Sequence, residues 1–224
     1  MKSFDLSGKP LIYLVTKGEM TAANYAEKKK ETLNLIEIAV QNKISLIQIR
    51  EKRISAGLLF ELTAEAARIT KNSVTKLLVG DRADIALAAD ADGVHLTARS
   101  LSAKIIRLNF PENFIIGVSA HSLEKVREAK LQKADFAVFS PIFSTPNKGE
   151  PVGLAKLREV CEKVSPFPVL ALGGINETNY KAILEVAAGF GAIRFLNVAE
   201  NLQKFNAKTQ RSQRSQRKKG KIKL

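Results

Sequence analysis

The sequence predicts an α/β protein built as a single closed (β/α)8 barrel, the TIM-barrel architecture. Three observations predict it. Short apolar runs alternate with longer segments of helical period up to about residue 200. The alternation amounts to eight strand-and-helix units, and such units imply parallel strands joined by right-handed crossovers. The chain has 224 residues, which is long for an average domain but ordinary for one α/β barrel. An open doubly wound sheet is the competing arrangement. No G-x-G-x-x-G fingerprint follows the first strand to favour it.

The elements follow in order. Leu11–Val15 (LIYLV) reads as the first strand. Ala23–Gln41 reads as a helix, with Leu33, Ile36, Ile38 and Val40 available for its buried side. Ser45–Arg50 (SLIQIR) is the second strand. The helix Ser55–Thr70 follows, with Ser55 as its N-cap, where a hydroxyl oxygen can accept from the first-turn N–H groups. Lys76–Val79 is a third strand with a short helix at Ala83–Ala89. Gly93–Leu96 is the fourth, with a helix at Leu101–Leu108. Phe114–Ser119 is the fifth, with the helix Ser122–Lys133 capped by Ser122. Ala134–Phe139 is the sixth, separated by a long loop from a helix at Leu154–Val164. Pro168–Leu172 is the seventh, with a helix at Thr178–Val186. Ala192–Leu196 is expected as the eighth, with Arg194 inside it, and a short helix is expected at Ala199–Phe205.

Hydrophobic residues make up 45% of the chain, enough for a sizeable core, and charged residues 26%, near the globular average. The composition therefore excludes a wholly disordered chain. The net charge of +14 is uneven. Nine Lys and Arg lie between Asn201 and Leu224 with no acid among them, which leaves +5 for residues 1–200. The run KTQRSQRSQRKKGKIKL is polar, basic and repetitive. Residues 204–224 are therefore expected to be a disordered tail appended to a barrel of residues 1–203. Such a tail is the only feature that would favour nucleic acid. Cys161 is the sole cysteine, so no intrachain disulfide can form. It falls in the helical pattern of Leu154, Leu157, Val160 and Val164, which marks it as a small packed residue. No apolar run approaches the roughly 20 residues that span a bilayer. The N-terminal MKSFDLSGKP lacks a signal-peptide core. A cytoplasmic protein with no membrane partner is expected. A homo-oligomer is compatible with this kind of barrel, although the sequence marks no interface.

In a parallel barrel the site gathers at the C-terminal ends of the strands. Strand two ends in Gln48, Arg50 and Lys52. Gln48 and Arg50 share one face, and an arginine fork with a nearby lysine suits phosphate or pyrophosphate. A bare structural reading would pair Arg50 with Glu51. Strand three ends in Gly80-Asp81-Arg82, where Asp81 is either an Mg2+ ligand or the cap of the next helix. His95 ends strand four, a position that is more often structural than catalytic. Strand five ends in Ser119 and His121; Ser119 can donate to a phosphate, and His121 precedes a helix and could move protons near neutral pH. The loop Ser140–Gly149 exceeds a tight turn and carries Thr145, Asn147 and Lys148 as phosphate donors, in the manner of a lid. Gly173-Gly174 after strand seven would let backbone N–H groups approach a phosphate, and Asn197 follows strand eight. The ligand these features describe is a small phosphorylated molecule.

Taken together, the stretches IQIREK (Ile47–Lys52), GDRADIALAADADGVHL (Gly80–Leu96), IGVSAHSLEKV (Ile116–Val126), ADFAVFSPIFSTPNKG (Ala134–Gly149) and PVLALGGI (Pro168–Ile175) resemble the thiamine-phosphate synthase and thiazole tautomerase superfamily. They run in order from strand two to strand seven, and the likeness covers roughly residues 10–200. The resemblance implies an enzyme that joins hydroxymethylpyrimidine diphosphate to thiazole phosphate with loss of pyrophosphate. By similarity, Gln48, Arg50 and Lys52 would hold the diphosphate and Asp81 would ligate Mg2+. Ser119 and Lys148 would contact pyrophosphate, Thr145 the thiazole side, and Gly174 the thiazole phosphate. Arg50, Lys148, Ser119 and His121 are then the expected catalytic set. Substrate contacts are expected from these and from Asn147 and Gly173.

The sequence departs from that pattern at several places. The synthase pattern has Asn-Asp-Arg where this chain has Gly80-Asp81-Arg82. It has a second Mg2+ carboxylate in a Gly-Gln-Glu-Asp-like stretch where this chain has Thr97-Ala98-Arg99-Ser100, so Ser100 stands in for an acid. Asn147 stands where a threonine is expected. The small Val-Ser pair expected after strand eight is replaced by Leu196-Asn197 nearby. With one carboxylate, and Arg99 close in sequence, Mg2+ binding should weaken. A synthase is the leading expectation. A thiazole tautomerase, which needs no Mg2+, or another divergent relative is the alternative. A non-enzymatic binder of phosphorylated ligands or nucleic acid is the third.

Overall fold

The computed structural model describes residues 9–146 and 148–205. Eight strands pair in chain order into a closed barrel: β1 (Leu11–Val15), β2 (Leu46–Ile49), β3 (Lys76–Gly80), β4 (Gly93–Leu96), β5 (Ile115–Ala120), β6 (Phe136–Phe139), β7 (Val169–Ala171) and β8 (Gly189–Ala192). Every pair is parallel, including the β1–β8 seam. The outer ring is α1 (Tyr25–Gln41), preceded by a 3-10 turn at Ala22–Asn24, then α2 (Ala56–Thr70), α3 (Ala83–Ala88), α4 (Ala103–Asn109), α5 (Leu123–Leu131), α6 (Gly153–Val164), α7 (Tyr180–Ile183) and α8 (Ala199–Gln203). The predicted architecture is the observed one.

The strands read as near-continuous apolar runs because both of their faces are buried. Ile12, Leu14, Ile47, Ile49, Val79 and Val94 pack outward under the helices. Leu11, Tyr13, Leu46, Leu78, Phe136 and Leu170 fill the barrel interior. The serine caps hold: the Ser55 hydroxyl accepts from Leu58 N–H and that of Ser122 from Lys125 N–H, each at 3.3 Å. Cys161, on α6, packs against the hydrophobic core, and burial pushes its thiol up to about 11, so it remains a protonated packing group.

The eighth strand corrects the sequence reading. Expected at Ala192–Leu196, it lies at Gly189–Ala192. Two glycines, which weaken a strand in isolation, concealed it. Closure demands the first of them. A Cβ on Gly189 would stand 1.9 Å from the Leu11 carbonyl oxygen, so only glycine lets β8 meet β1. The stretch taken for the strand turns instead, and it buries Phe195 and Leu196. Asn197 then donates its amide to Val15 O at 2.8 Å and Ile193 O at 2.6 Å, fastening the upper end of the seam.

The expected tail opens with two described residues. Lys204 and Phe205 belong to the barrel: Lys204 pairs with Glu177 at 2.7 Å, and the Phe205 ring packs edge-on against Tyr180 at 5.4 Å. The rest of the expected tail, residues 206–224, lies outside the described residues. Helix α7 is also shorter than the expected Thr178–Val186. Among the described residues no helix is long and apolar enough to cross a membrane.

Candidate active site

The upper barrel interior is polar where the lower part is not. Tyr13, Gln48, His95 and Ser119 point inward from β1, β2, β4 and β5. The Tyr13 hydroxyl donates to Gln48 Oε1 at 3.2 Å, and Ser119 Oγ meets His95 Nε2 at 2.8 Å. Burial pushes the Tyr13 phenol well above its ordinary value and pushes His95 down to about 4, so both are neutral near pH 7. His95 Nδ1 is buried and has no hydrogen-bond partner among the described residues, which leaves one open hydrogen-bonding position on this polar floor. His95 had read as a structural residue; its placement beside Ser119 makes it part of the floor.

Arg50 and Lys52 follow directly on β2. The Arg50 N–H donates to Thr16 Oγ1 at 2.9 Å. Its guanidinium lies against Gly18, where an added Cβ would stand 2.9 Å from Nη1. Glu51 does not pair with Arg50, as the structural alternative supposed. It is 7% exposed and turns its carboxylate to the β1–α1 loop. Oε1 accepts from the Thr16 hydroxyl at 2.7 Å and Gly18 N–H at 3.1 Å, and Oε2 accepts from Met20 N–H at 3.0 Å. Sequence reasoning missed this role. The available signal was an acid placed between two basic site residues, directly after an apolar strand.

Asp81 sits at the end of β3 with φ 62, in the left-handed region, and its N–H donates to His95 O at 2.9 Å. It does not cap α3, whose N-cap Arg82 makes no side-chain cap. Its Oδ1 accepts from the Thr97 hydroxyl at 2.8 Å and from the Ser100 hydroxyl. Its Oδ2 faces Lys52 Nζ at 3.4 Å. Partial burial pushes the carboxyl up, but the Ser100 and Thr97 hydroxyls and the Lys52 ammonium outweigh it and hold Asp81 below the ordinary carboxylate value.

The loops after β6 and β7 are stitched together. Ile142 N–H donates to Leu172 O at 2.9 Å and Phe143 N–H to Gly173 O at 3.1 Å. Gly173 and Gly174 have φ 99 and φ 64. A Cβ on Gly174 would lie 2.6 Å from Ser144 O, so both the backbone and the neighbouring loop require glycine. Among the described residues, neither glycine N–H is used by a backbone carbonyl. Thr145 turns its hydroxyl back to Phe143 O at 3.0 Å, and Lys148 N–H closes the turn on Thr145 O at 3.2 Å. The Lys148 side chain is exposed. His121 is exposed, its Nδ1–H donating to Ser140 O at 2.8 Å. Asn147 lies outside the described residues.

A closed parallel barrel with a polar floor, a basic strand end and a glycine turn at its C-terminal face defines a barrel enzyme that works on phosphorylated small molecules. The chain belongs to the family described as thiamine monophosphate synthase, whose model matches residues 12–194. It is 35% identical over 160 residues to the thiamine-phosphate synthase of Caldanaerobacter subterraneus subsp. tengcongensis, covering 70% of this chain and 74% of that one. It is 32% identical over 196 residues to that of Clostridium botulinum, covering 86% and 89%. Among solved structures, thiamine phosphate pyrophosphorylase from Pyrococcus furiosus superposes with a TM-score of 0.77 at 28% identity, over 92% of this chain and 96% of that chain.

Mg2+ is usually held by one or two carboxylates together with substrate phosphates. Among the described residues no three His, Cys, Asp or Glu gather into a metal-holding group. Asp81 is the only acid of the two that the resemblance implies, and both of its oxygens are already engaged by hydroxyls and an ammonium. The residues present do not fit a two-carboxylate Mg2+ site, and no step below is derived through a metal.

Proposed function

We propose that this protein is a thiamine-phosphate synthase, a transferase that joins hydroxymethylpyrimidine diphosphate to thiazole phosphate. In the reaction the bond between the pyrimidine methylene carbon and the diphosphate oxygen breaks, and its electron pair leaves with pyrophosphate. The methylene cation is captured by the thiazole nitrogen lone pair, forming the C–N bond of thiamine phosphate. Little proton transfer is needed. The protein's task is to neutralise charge on the departing group and to align the two rings.

Arg50 and Lys52 stand at the strand end where the diphosphate would lie, with Lys148 on the loop across the mouth. Arg50 would grip two phosphate oxygens as a fork, with Gln48 beneath it. The neutral floor of Tyr13, Gln48, His95 and Ser119 offers hydrogen bonds to a heteroaromatic ring without adding charge that would repel a cation. The Gly173 and Gly174 N–H groups, which no backbone carbonyl uses among the described residues, would receive the thiazole phosphate, a common use of the β7 loop in these barrels. Thr145 would face the thiazole side. His121, turned away to Ser140, has no step in this scheme.

The observation that carries the reading is the basic edge of Arg50 and Lys52 sharing one barrel face with the Gly173-Gly174 turn, in a chain matched by the family over residues 12–194. The test is to incubate purified protein with both substrates and follow thiamine phosphate and pyrophosphate together. Equal amounts of the two are expected. No thiamine phosphate at high protein concentration would overturn the reading.

A further inference from the structure

The cluster around Asp81 is the part of the site that departs from what the family resemblance implies. We propose that here the Lys52 ammonium, anchored by Asp81, occupies the place of a divalent cation, so that pyrophosphate is held by fixed protein cations without Mg2+. The proposal rests on the synthase reading for the identity of the anion.

The geometry argues it atom by atom. The left-handed backbone at Asp81 fixes the direction of its carboxylate. A carboxylate oxygen has two lone-pair directions, and those of Oδ1 are taken by the Thr97 and Ser100 hydroxyls. Ser100 Oγ also accepts from Thr97 N–H at 2.8 Å, which directs its hydrogen to Asp81. Ser100 is thus a ligand of Asp81, whereas a carboxylate at the same position would share a metal with it.

Oδ2 is left for a cation, and Lys52 Nζ is there at 3.4 Å. A Mg2+ ion needs oxygen at about 2.1 Å in a near-octahedral shell. To use Oδ2 it would displace a like charge and gain a single carboxylate in return. Lys52 is tethered, and its side chain is 55% exposed, so its remaining N–H donors can face an arriving phosphate. Asp81 then serves as a positioning residue that acts through Lys52.

The two arrangements predict different responses to Mg2+. If Asp81 holds a metal that bridges to pyrophosphate, removing its charge weakens binding only when Mg2+ is present. If Asp81 anchors Lys52, removing its charge frees the ammonium and weakens binding alike with and without Mg2+. Pyrophosphate is titrated calorimetrically into the full chain in EDTA and in millimolar Mg2+. The expected affinity for wild type is no tighter with Mg2+, and Asp81→Asn weakens it by the same factor in both buffers. A tenfold or larger gain on adding Mg2+, lost in Asp81→Asn, would overturn the proposal. Thermal unfolding supplies a second readout. Millimolar Mg2+ should leave the wild-type Tm unmoved and raise that of Ser100→Asp, which restores the second acid. A wild-type Tm that rises with Mg2+ as much as the variant's would also count against it. Thiamine phosphate formation that requires Mg2+ would sink this inference and leave the synthase reading standing. Absence of product in both buffers would sink that reading, while the pyrophosphate titration still decides this one.

Discussion

Replacing Glu51 by glutamine should cost both stability and anion affinity, and the size follows from its surroundings. The carboxylate is buried and accepts three hydrogen bonds, from the Thr16 hydroxyl and the N–H groups of Gly18 and Met20. Hydrogen bonds to a charged group contribute about 1.5–3 kcal/mol each, and a buried donor left unmatched costs about 1–3 kcal/mol. Glutamine keeps the volume and one acceptor oxygen. With that oxygen serving Thr16 and Gly18, its NH2 group opposes Met20 N–H, donor against donor. One charged bond is lost and one donor stranded, so about 2.5–6 kcal/mol is expected. Urea denaturation should show a lower midpoint at unchanged slope. Because Gly18 lies directly against the Arg50 guanidinium, the loosened loop should also weaken pyrophosphate binding by about tenfold. A loss below about 0.5 kcal/mol would refute the burial argument. A destabilised variant that still binds pyrophosphate like wild type would refute the link from Glu51 through Gly18 to Arg50.

Further outcomes are expected. Gly174→Ala places a Cβ 2.6 Å from Ser144 O at a left-handed backbone. KM for thiazole phosphate should rise about tenfold or more, with a smaller change for the diphosphate; equal KM values for wild type and variant would contradict the glycine-turn assignment. Burial holds His95 at about 4 against an ordinary 6.5. Above pH 6.5 the folded and unfolded chains are both neutral at this residue. Below it the unfolded chain takes up a proton that the folded chain refuses, so stability falls as pH drops from 6.5 towards 4. The loss is about 3 kcal/mol from this group, and His95→Asn should lack that component when urea midpoints are compared across the window. The same pH slope in wild type and variant would remove His95 as its source. Gly189→Ala, whose Cβ would collide with Leu11 O at the seam, should prevent barrel closure, read as loss of the cooperative unfolding transition. A folded variant would show that the seam can open to admit a side chain.

The fold was legible where the physics is local. Alternation of apolar runs with helical periods marks β1 to β7, because a strand buried on both faces is apolar over most of its length. The β8 strand carries the opposite composition, Gly189-Phe190-Gly191-Ala192, since it is chosen by close approach to β1 rather than by strand propensity. Nothing near it in the sequence states that constraint; it appears only when Leu11 lies alongside. Phe205 was placed in the tail because of the basic run that follows it, although its ring completes a cluster with Tyr180, Phe190 and Phe195.

The site was legible as a set of strand ends and not as a network. Gln48, Arg50, Lys52 and Asp81 could be named from their positions in the chain. That Asp81 is bound by Thr97, Ser100 and Lys52, and that Glu51 serves the β1–α1 loop instead of Arg50, depends on residues brought together from different strands. The substitution of Ser100 for an acid was visible in the sequence. Its consequence, a hydroxyl that occupies Asp81, was visible only in space. Nothing in the structure explains Gly80 in place of the expected asparagine beyond its fit under Gln48, where a Cβ would meet Nε2 at 2.9 Å.

The central claim is that Arg50 neutralises the departing pyrophosphate from the end of β2. Steady-state formation of thiamine phosphate by wild type and Arg50→Ala, with the diphosphate substrate varied, tests it most directly. The account predicts a fall in kcat/KM of about 10²–10³-fold, on the order of 3–4 kcal/mol of transition-state stabilisation, in a variant that unfolds at the wild-type urea midpoint. A kcat/KM within about twofold of wild type would contradict it.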